Sequence, residues 1–272
     1  MKLAISQVCS LHARLPQCIE DYAAGTCQAI EVWLTAVEYY LEQSSPEELR
    51  GLLEAQGMSI PAASYQGGLL VSQGEERQVA WELFRKRLQL CQELQIPTLI
   101  VAADVPSPLR TGDIERVQVS LRQAAQEAAQ HNVRLALELQ SGSAFGNNLQ
   151  SVSALVEQTQ HPHLGICLDV FHFGVGPSKE SDLRAINPQS LFHVQVSDVS
   201  GVPRELATDQ HRILPGDGDL PLSVIIDFLR DIRYDRWISL EILNPTLWEI
   251  PPRQFGEIGM ASLRQLVRDE SR

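Results

Sequence analysis

Four side chains of this chain have the types and spacing to act together: Glu138, Asp169, Gln195 and Glu241. Each lies in a short segment that reads as a strand: 135–139, 165–172, 191–198 and 237–243. In Leu191–Asp198 the alternation is strict. Phe192, Val194 and Val196 share one face, and His193, Gln195 and Ser197 share the other. In the other three segments the acid shares its face with Ala136, Cys167 or Ser239, while the opposite face is Leu, Ile or Val. An acid inside an apolar strand costs several kcal/mol unless it is paired or binds a metal. Three acids and an amide at matching depth on four successive strands therefore predict one shared site.

The chemistry of that set is all oxygen. Hard oxygen ligands favour Mg2+ or Mn2+, with Zn2+ or Co2+ as less favoured occupants. Three carboxylates and an amide around one divalent metal ion suit a small-molecule substrate that offers neutral hydroxyl and carbonyl oxygens. Chelation acidifies the adjacent C–H, and a carboxylate at its edge can take the proton. Glu138 and Glu241, three strands apart, would flank the substrate carbon, one removing a proton and the other returning it. Each residue alone has a plainer use. Asp169 with His172 also reads as a helix-cap pair, Glu138 as a buried ion pair, and Gln195 as a structural hydrogen bond. The conjunction of all four argues for a site. His193 either supports the site or packs in the core. Glu31 and Trp33, on one face of the second strand, either wall the pocket or fill the barrel.

These segments belong to a repeat of strand and helix that recurs eight times. The strands are expected at 2–8, 29–34, 58–63, 98–103, up to Glu138, up to Asp169, up to about Gln195, and up to Glu241. The helices are expected after Pro16, at 45–53, 74–94, 112–131, 148–159, 181–186, 221–232 and 252–267. Ser45-Pro46-Glu47-Glu48 is a helix start signal. The third helix is expected to bury Val79, Leu83, Leu90 and Leu94. The fourth is expected to bury Ile114, Val117, Leu121, Ala124, Ala125 and Ala128. Eight βα units predict a (β/α)8 TIM barrel, an α/β fold occupying residues 1–272 as a single domain. A doubly wound sheet would not converge four successive strand ends on one point.

Composition narrows the class. A chain of 272 residues, 44% hydrophobic and 21% charged, is ordinary for a protein with one sizeable core. No apolar run reaches the ~18 residues of a membrane span. The opening Met1–Val8 reads as a first strand and not as a leader, so a cytoplasmic location is expected. A net charge of −12 without a Lys/Arg cluster speaks against nucleic acid as a partner. Five cysteines without C-x-x-C spacing speak against a disulfide framework and a thiolate zinc site. Cys91 and Cys167 read as core residues. Whether the chain forms a homo-oligomer stays open.

The motifs in chain order resemble a known family. Leu137-Glu138, then Leu168-Asp169-x-x-His172, then His193-x-Gln195-x-x-Asp198, then Pro215-Gly216-x-Gly218, then Leu240-Glu241 are similar to the xylose isomerase-like barrel superfamily of sugar and sugar-phosphate isomerases and epimerases. The resemblance implies metal ligation by Glu138, Asp169, Gln195 and Glu241. It implies acid/base roles for Glu138 and Glu241, and proton transfer through a metal-bound enediolate. It also implies substrate contacts from His172 and Arg212. Members resembling tagatose 3-epimerase mostly have His as the third ligand. Gln195 in that place is similar to hydroxypyruvate isomerases and bacterial 3-dehydroshikimate dehydratases. An isomerase or epimerase is therefore the leading expectation, and a lyase of the dehydratase type on the same site is the alternative. An endonuclease IV-like nuclease would need a His-rich zinc site and a basic groove, and neither is present in the sequence. A binding or regulatory barrel without turnover is the remaining expectation, disfavoured by the complete ligand set.

Overall fold

The computed structural model describes residues 1–268. Among them are eight strands, all parallel where their pairing is defined, and they follow one another in sequence order around a closed barrel. The strands are β1 (Lys2–Ser6), β2 (Ile30–Trp33), β3 (Ala63–Gln66), β4 (Thr98–Ala102), β5 (Arg134–Glu138), β6 (Leu164–Asp169), β7 (Leu191–Val196) and β8 (Trp237–Leu240). The helices are α1 (Leu15–Ala24), α2 (Leu34–Leu41), α3 (Pro46–Ala55), α4 (Gly74–Glu93), α5 (Asp113–Gln130), α6 (Leu149–Thr159), α7 (Val170–Val175), α8 (Leu222–Asp231) and α9 (Pro252–Arg268). The expected (β/α)8 barrel is present. No helix of the described residues is long and apolar enough to cross a membrane.

The chain divides into two compact units. One comprises Met1–Ala62 together with the chain from Val194 onward; the other is Ala63–His193. In the first, β1 pairs with β8 through Ala4 and Ser239, and with β2 through Ser6 and Glu31. The β7–β8 register sets Gln195 opposite Ser239. Phe255 and Leu263 of α9 are fully buried, each contributing about 1.5–3 kcal/mol by leaving water. In the second unit, the β4–β5 register aligns Ala102 with Glu138, and the β5–β6 register aligns Glu138 with Cys167. All five cysteines are buried and unpaired by disulfides, and burial pushes the thiols of Cys18 and Cys91 up to about 12.

Helix starts follow the sequence signals. Ser45 and Glu48 form a reciprocal cap: the Glu48 N–H donates to Ser45 Oγ at 3.2 Å and the Ser45 N–H donates to Glu48 Oε2 at 2.8 Å. Asn148 caps α6 by accepting from the Ser151 N–H at 2.9 Å. Four expectations need correction. The third strand begins at Ala63, not at Met58. Pro61 has no N–H to give a ladder, and Met58–Ala62 contribute an isolated bridge, Ser59 to Ala29, and the Ala62 carbonyl that accepts the Val32 N–H at 3.1 Å. Of the expected stripe on α4, Leu94 at its end is buried and Leu90 half-buried, but Val79 and Leu83 are 61% and 37% exposed, while Trp81, Phe84, Leu88 and Cys91 are buried. The centre of the inward face lies roughly 130° round the helix from that of the expected stripe. Trp81 and Phe84, in edge contact at 5.7 Å between ring centres, bury more apolar area than Val and Leu can. In α5, Ile114 is 44% exposed and the rest of the expected stripe is buried. The sixth expected helix is a 3-10 segment, Glu180–Ala185, and α2 and α7 were not foreseen.

Candidate functional site

Both units carry buried acids at the C-terminal ends of their strands, where barrels of this kind place chemistry. In the unit Ala63–His193, Glu138 closes β5, Asp169 closes β6 and His172 lies in α7. One ligand atom from each lies within 4.8 Å of the other two. Ligands of one ion at about 2.0–2.3 Å stand roughly 3 Å apart when adjacent and under 5 Å when opposite, so this spread fits a single dication. Asp169 also accepts the His172 N–H through Oδ1 at 3.0 Å, capping α7. The cap and a ligand role are compatible, since a carboxylate has about four acceptor positions. Gln140 Nε2 donates to Glu138 Oε2 at 2.7 Å, and Ser141 Oγ meets His172 Nδ1 at 3.0 Å. Nearby, burial raises the carboxyl of Asp104 despite the Gly68 N–H that it accepts at 2.6 Å. Burial first, then Asp104, then Glu138 raise the Tyr65 hydroxyl.

In the unit built from the chain ends, the centre is Gln195. Its Nε2 donates to Glu31 Oε1 at 3.0 Å and to Glu241 Oε1 at 2.8 Å. Glu241 follows β8 directly, and its N–H donates to the Val196 carbonyl at 2.9 Å. Arg212, 1% exposed, reaches Glu241 Oε2 at 3.4 Å through Nη1 and Asp209 Oδ1 at 2.8 Å through Nη2. Asn244 Nδ2 holds the Arg212 carbonyl at 3.0 Å. Arg212 is thus a buried anchor beside Glu241 and not an exposed arm.

The loop carrying Arg212 is organised by Asp198. Its carboxylate accepts the N–H groups of Val199 and Leu220 at 2.9 Å and those of Gly216 and Gly218 at 3.0 Å. Asp198 and Ile213 also exchange two backbone hydrogen bonds at 2.9 Å. The two glycines of Pro-Gly-x-Gly have separate reasons. Gly216 sits at φ +95°, and a Cβ on Gly218 would collide with the Asp198 carboxylate.

The remaining expected residues are placed as follows. Trp33 is half-buried and lines a groove of about 580 Å3 with Leu11, His12, Tyr39 and Tyr40. His193 is buried in β7 and lies outside the cluster of Glu138, Asp169 and His172. A second groove, about 590 Å3, runs along α6 and the outward residues Leu164, Ile166 and Phe192, away from the acids. Sequence reading did not anticipate Gln140, Ser141 or Asp209 as partners, nor the grip of Glu31 on Gln195. Glu31 did carry the same signal as the others, an acid within an apolar strand.

Against this geometry the comparisons are specific. Residues 22–266 match the model of the xylose isomerase-like TIM barrel family, and the chain belongs to that family. It is 27% identical over 272 residues to a 3-dehydroshikimate dehydratase of Pseudomonas putida, covering 98% of this chain and 42% of that protein. It is 25% identical over 170 residues to an inosose isomerase of Halalkalibacterium halodurans, covering 61% of this chain and 60% of that protein. The chain thus spans less than two thirds of the length of either relative. Among solved structures it superposes on the IolI protein with a bound zinc atom at a TM-score of 0.91 and 18% identity, covering 98% of both chains.

Proposed function

We propose that Glu138, Asp169, Gln195 and Glu241 together hold one divalent ion, and that the protein is an enzyme moving a proton on a small hydroxy-carbonyl compound as an isomerase or epimerase. The carrying observation is the pair of buried carboxylates Glu138 and Glu241, each at a strand end and each oriented by an amide donor, Gln140 at 2.7 Å and Gln195 at 2.8 Å. These amide donors are neutral and leave the carboxylate charge in place, and Glu241 in addition meets the Arg212 guanidinium at 3.4 Å. The donor set fits a hard dication, with Mn2+ or Mg2+ preferred. The His172 imidazole beside Glu138 and Asp169 gives Zn2+ a stronger claim than the oxygen ligands alone would. When bound, the ion would polarise a chelated carbonyl and acidify the neighbouring C–H.

In this reading one glutamate takes the proton and the other returns it. His172, fixed by Ser141 at Nδ1, donates to a substrate oxygen through Nε2 when the ion is held by the four oxygen ligands. Arg212 holds Glu241 in place and contacts a substrate oxygen. Trp33 and His193 bound the substrate space. A second reading has a specific support: a relative matched along 98% of this chain is named a dehydratase. There the same proton removal is followed by loss of a β-hydroxyl as water.

One experiment separates the two. The protein is stripped of metal, reloaded with Mn2+, Mg2+ or Zn2+, and given inosose or 3-dehydroshikimate in D2O. Isomerisation or epimerisation gives metal-dependent uptake of solvent deuterium on carbon without net loss of water. Dehydration gives the ultraviolet absorbance of an aromatic product. Metal-independent turnover, or none on any hydroxy-carbonyl substrate, would sink the proposal.

A further inference from the structure

We infer that Glu31 is a positioning residue that turns the Gln195 amide so that its carbonyl oxygen, not its nitrogen, is presented to the ion. The inference rests on the reading above that Gln195 is a ligand. Two carboxylate oxygens, Glu31 Oε1 at 3.0 Å and Glu241 Oε1 at 2.8 Å, contact the same terminal atom of Gln195. Ionised carboxylate oxygens only accept, so that atom is the nitrogen. Its two hydrogens are divided between the two acids. A flipped amide would set a carbonyl oxygen against both carboxylates and lose both bonds. The oxygen therefore lies on the side away from Glu31, and it is the amide atom with lone pairs for a cation.

Glu241 alone would not fix this orientation. Its Oε2 also meets Arg212, and under the proposed reading it turns to a metal and a substrate proton. Glu31 sits on a different strand, β2, and is 0% exposed. A fully buried acid on an apolar strand is costly to keep. Holding the amide gives it a purpose that barrel filling by an apolar side chain would not need. Partners of this kind set the orientation and basicity of metal ligands.

The test is Mn2+ binding by calorimetry to the metal-stripped full chain, with no substrate present, and thermal melts to verify folding. The variants are Glu31→Gln, Glu31→Leu, Gln195→Ala and the double Glu31→Leu/Gln195→Ala. Glu31→Gln keeps an acceptor oxygen and should stay within about 3-fold of the parent, whereas Glu31→Leu should weaken Mn2+ about 10–100-fold. In the Gln195→Ala background the Leu substitution should add little, because there is no amide left to turn. If Glu31→Leu does not fold, Glu31→Asp, which withdraws the acceptor by one methylene, should weaken binding in the same direction. Parent-like affinity in the Leu or Asp variant overturns the inference. So does a full loss that persists without Gln195, since Glu31 would then be a ligand or a structural prop in its own right. A parent protein that binds no Mn2+, or a Gln195→Ala variant that binds it undiminished, removes the ligand reading and this inference together.

Discussion

The two acidic clusters are built on different plans. Glu138, Asp169 and His172 come from adjacent strands and the turn of helix that follows, and the Asp169–His172 link spans three residues. Gln195, Glu31, Glu241 and Arg212 come from three strands and a long loop, with 164 positions between Gln195 and Glu31. The first plan is local: a cap, an i+3 imidazole and a β5–β6 register. The second exists only once distant segments have folded, and an amide and a guanidinium hold its acids in place. A local cluster tolerates change around it, whereas a long-range one is only as precise as the loop and strands that hold it.

The largest effect should come from testing whether both clusters supply a proton-transferring carboxylate. Glu138→Gln and Glu241→Gln are each expected to lower kcat by about 10²–10⁴ on the true substrate, with Mn2+ still bound as judged by calorimetry. Near-native turnover in either variant, metal loaded, would confine the acid/base work to the other cluster.

A smaller effect is expected from the support of the long-range cluster. Asp198→Ala removes the acceptor for four backbone N–H groups and should cost about 3 kcal/mol in urea unfolding, with faster proteolysis between Val199 and Arg212. Asp198→Asn should recover part of this. Unchanged proteolysis in the Ala variant would mean that other contacts hold the loop, and the contrast between local and long-range support would lose its basis.

The smallest effect lies beside the local cluster. Burial raises the Asp104 carboxyl, so the folded protein holds that proton more tightly than the unfolded chain does. The resulting stabilisation is fully present below the ordinary carboxylate range and is lost as pH rises through the raised value. Asp104→Asn keeps an acceptor for the Gly68 N–H and should melt slightly higher than the parent at neutral pH. The gap should close below about pH 4. A gap that does not depend on pH would assign the effect to packing instead.

Legibility in the sequence followed the same division. The ends of β5 and β6 at Glu138 and Asp169 were readable because an acid stood out in a short apolar strand bounded by turn signals. The helices α2 and α7 were not, because each starts on the residue after a strand with no Gly or Pro between. Apolar runs such as Val32-Trp33-Leu34 show no change of period at that join. Val79 and Leu83 of the expected stripe of α4 are exposed because a 20-residue helix with apolar residues on two faces leaves the choice to the neighbours it packs against. Glu31 was visible as an oddity, but its grip on Gln195 depends on a barrel register that no local pattern encodes. Arg212 was placed in the site by the resemblance, while its burial against Glu241 and Asp209 came only with the folded loop.

The Asp198 knot has a further consequence for how this chain tolerates variation. The paired backbone bonds between Asp198 and Ile213 staple together the two ends of the excursion that runs from Val199 to Arg212. Beyond such a staple, added length is entropically cheap, since doubling a closed loop costs only about 0.6 kcal/mol. The excursion is therefore an exchangeable cassette. Residues 200–208 can be lengthened, shortened or grafted from another chain while Arg212 stays seated on the fixed side of the joint. The length of this stretch is thereby separated from the seat of Arg212.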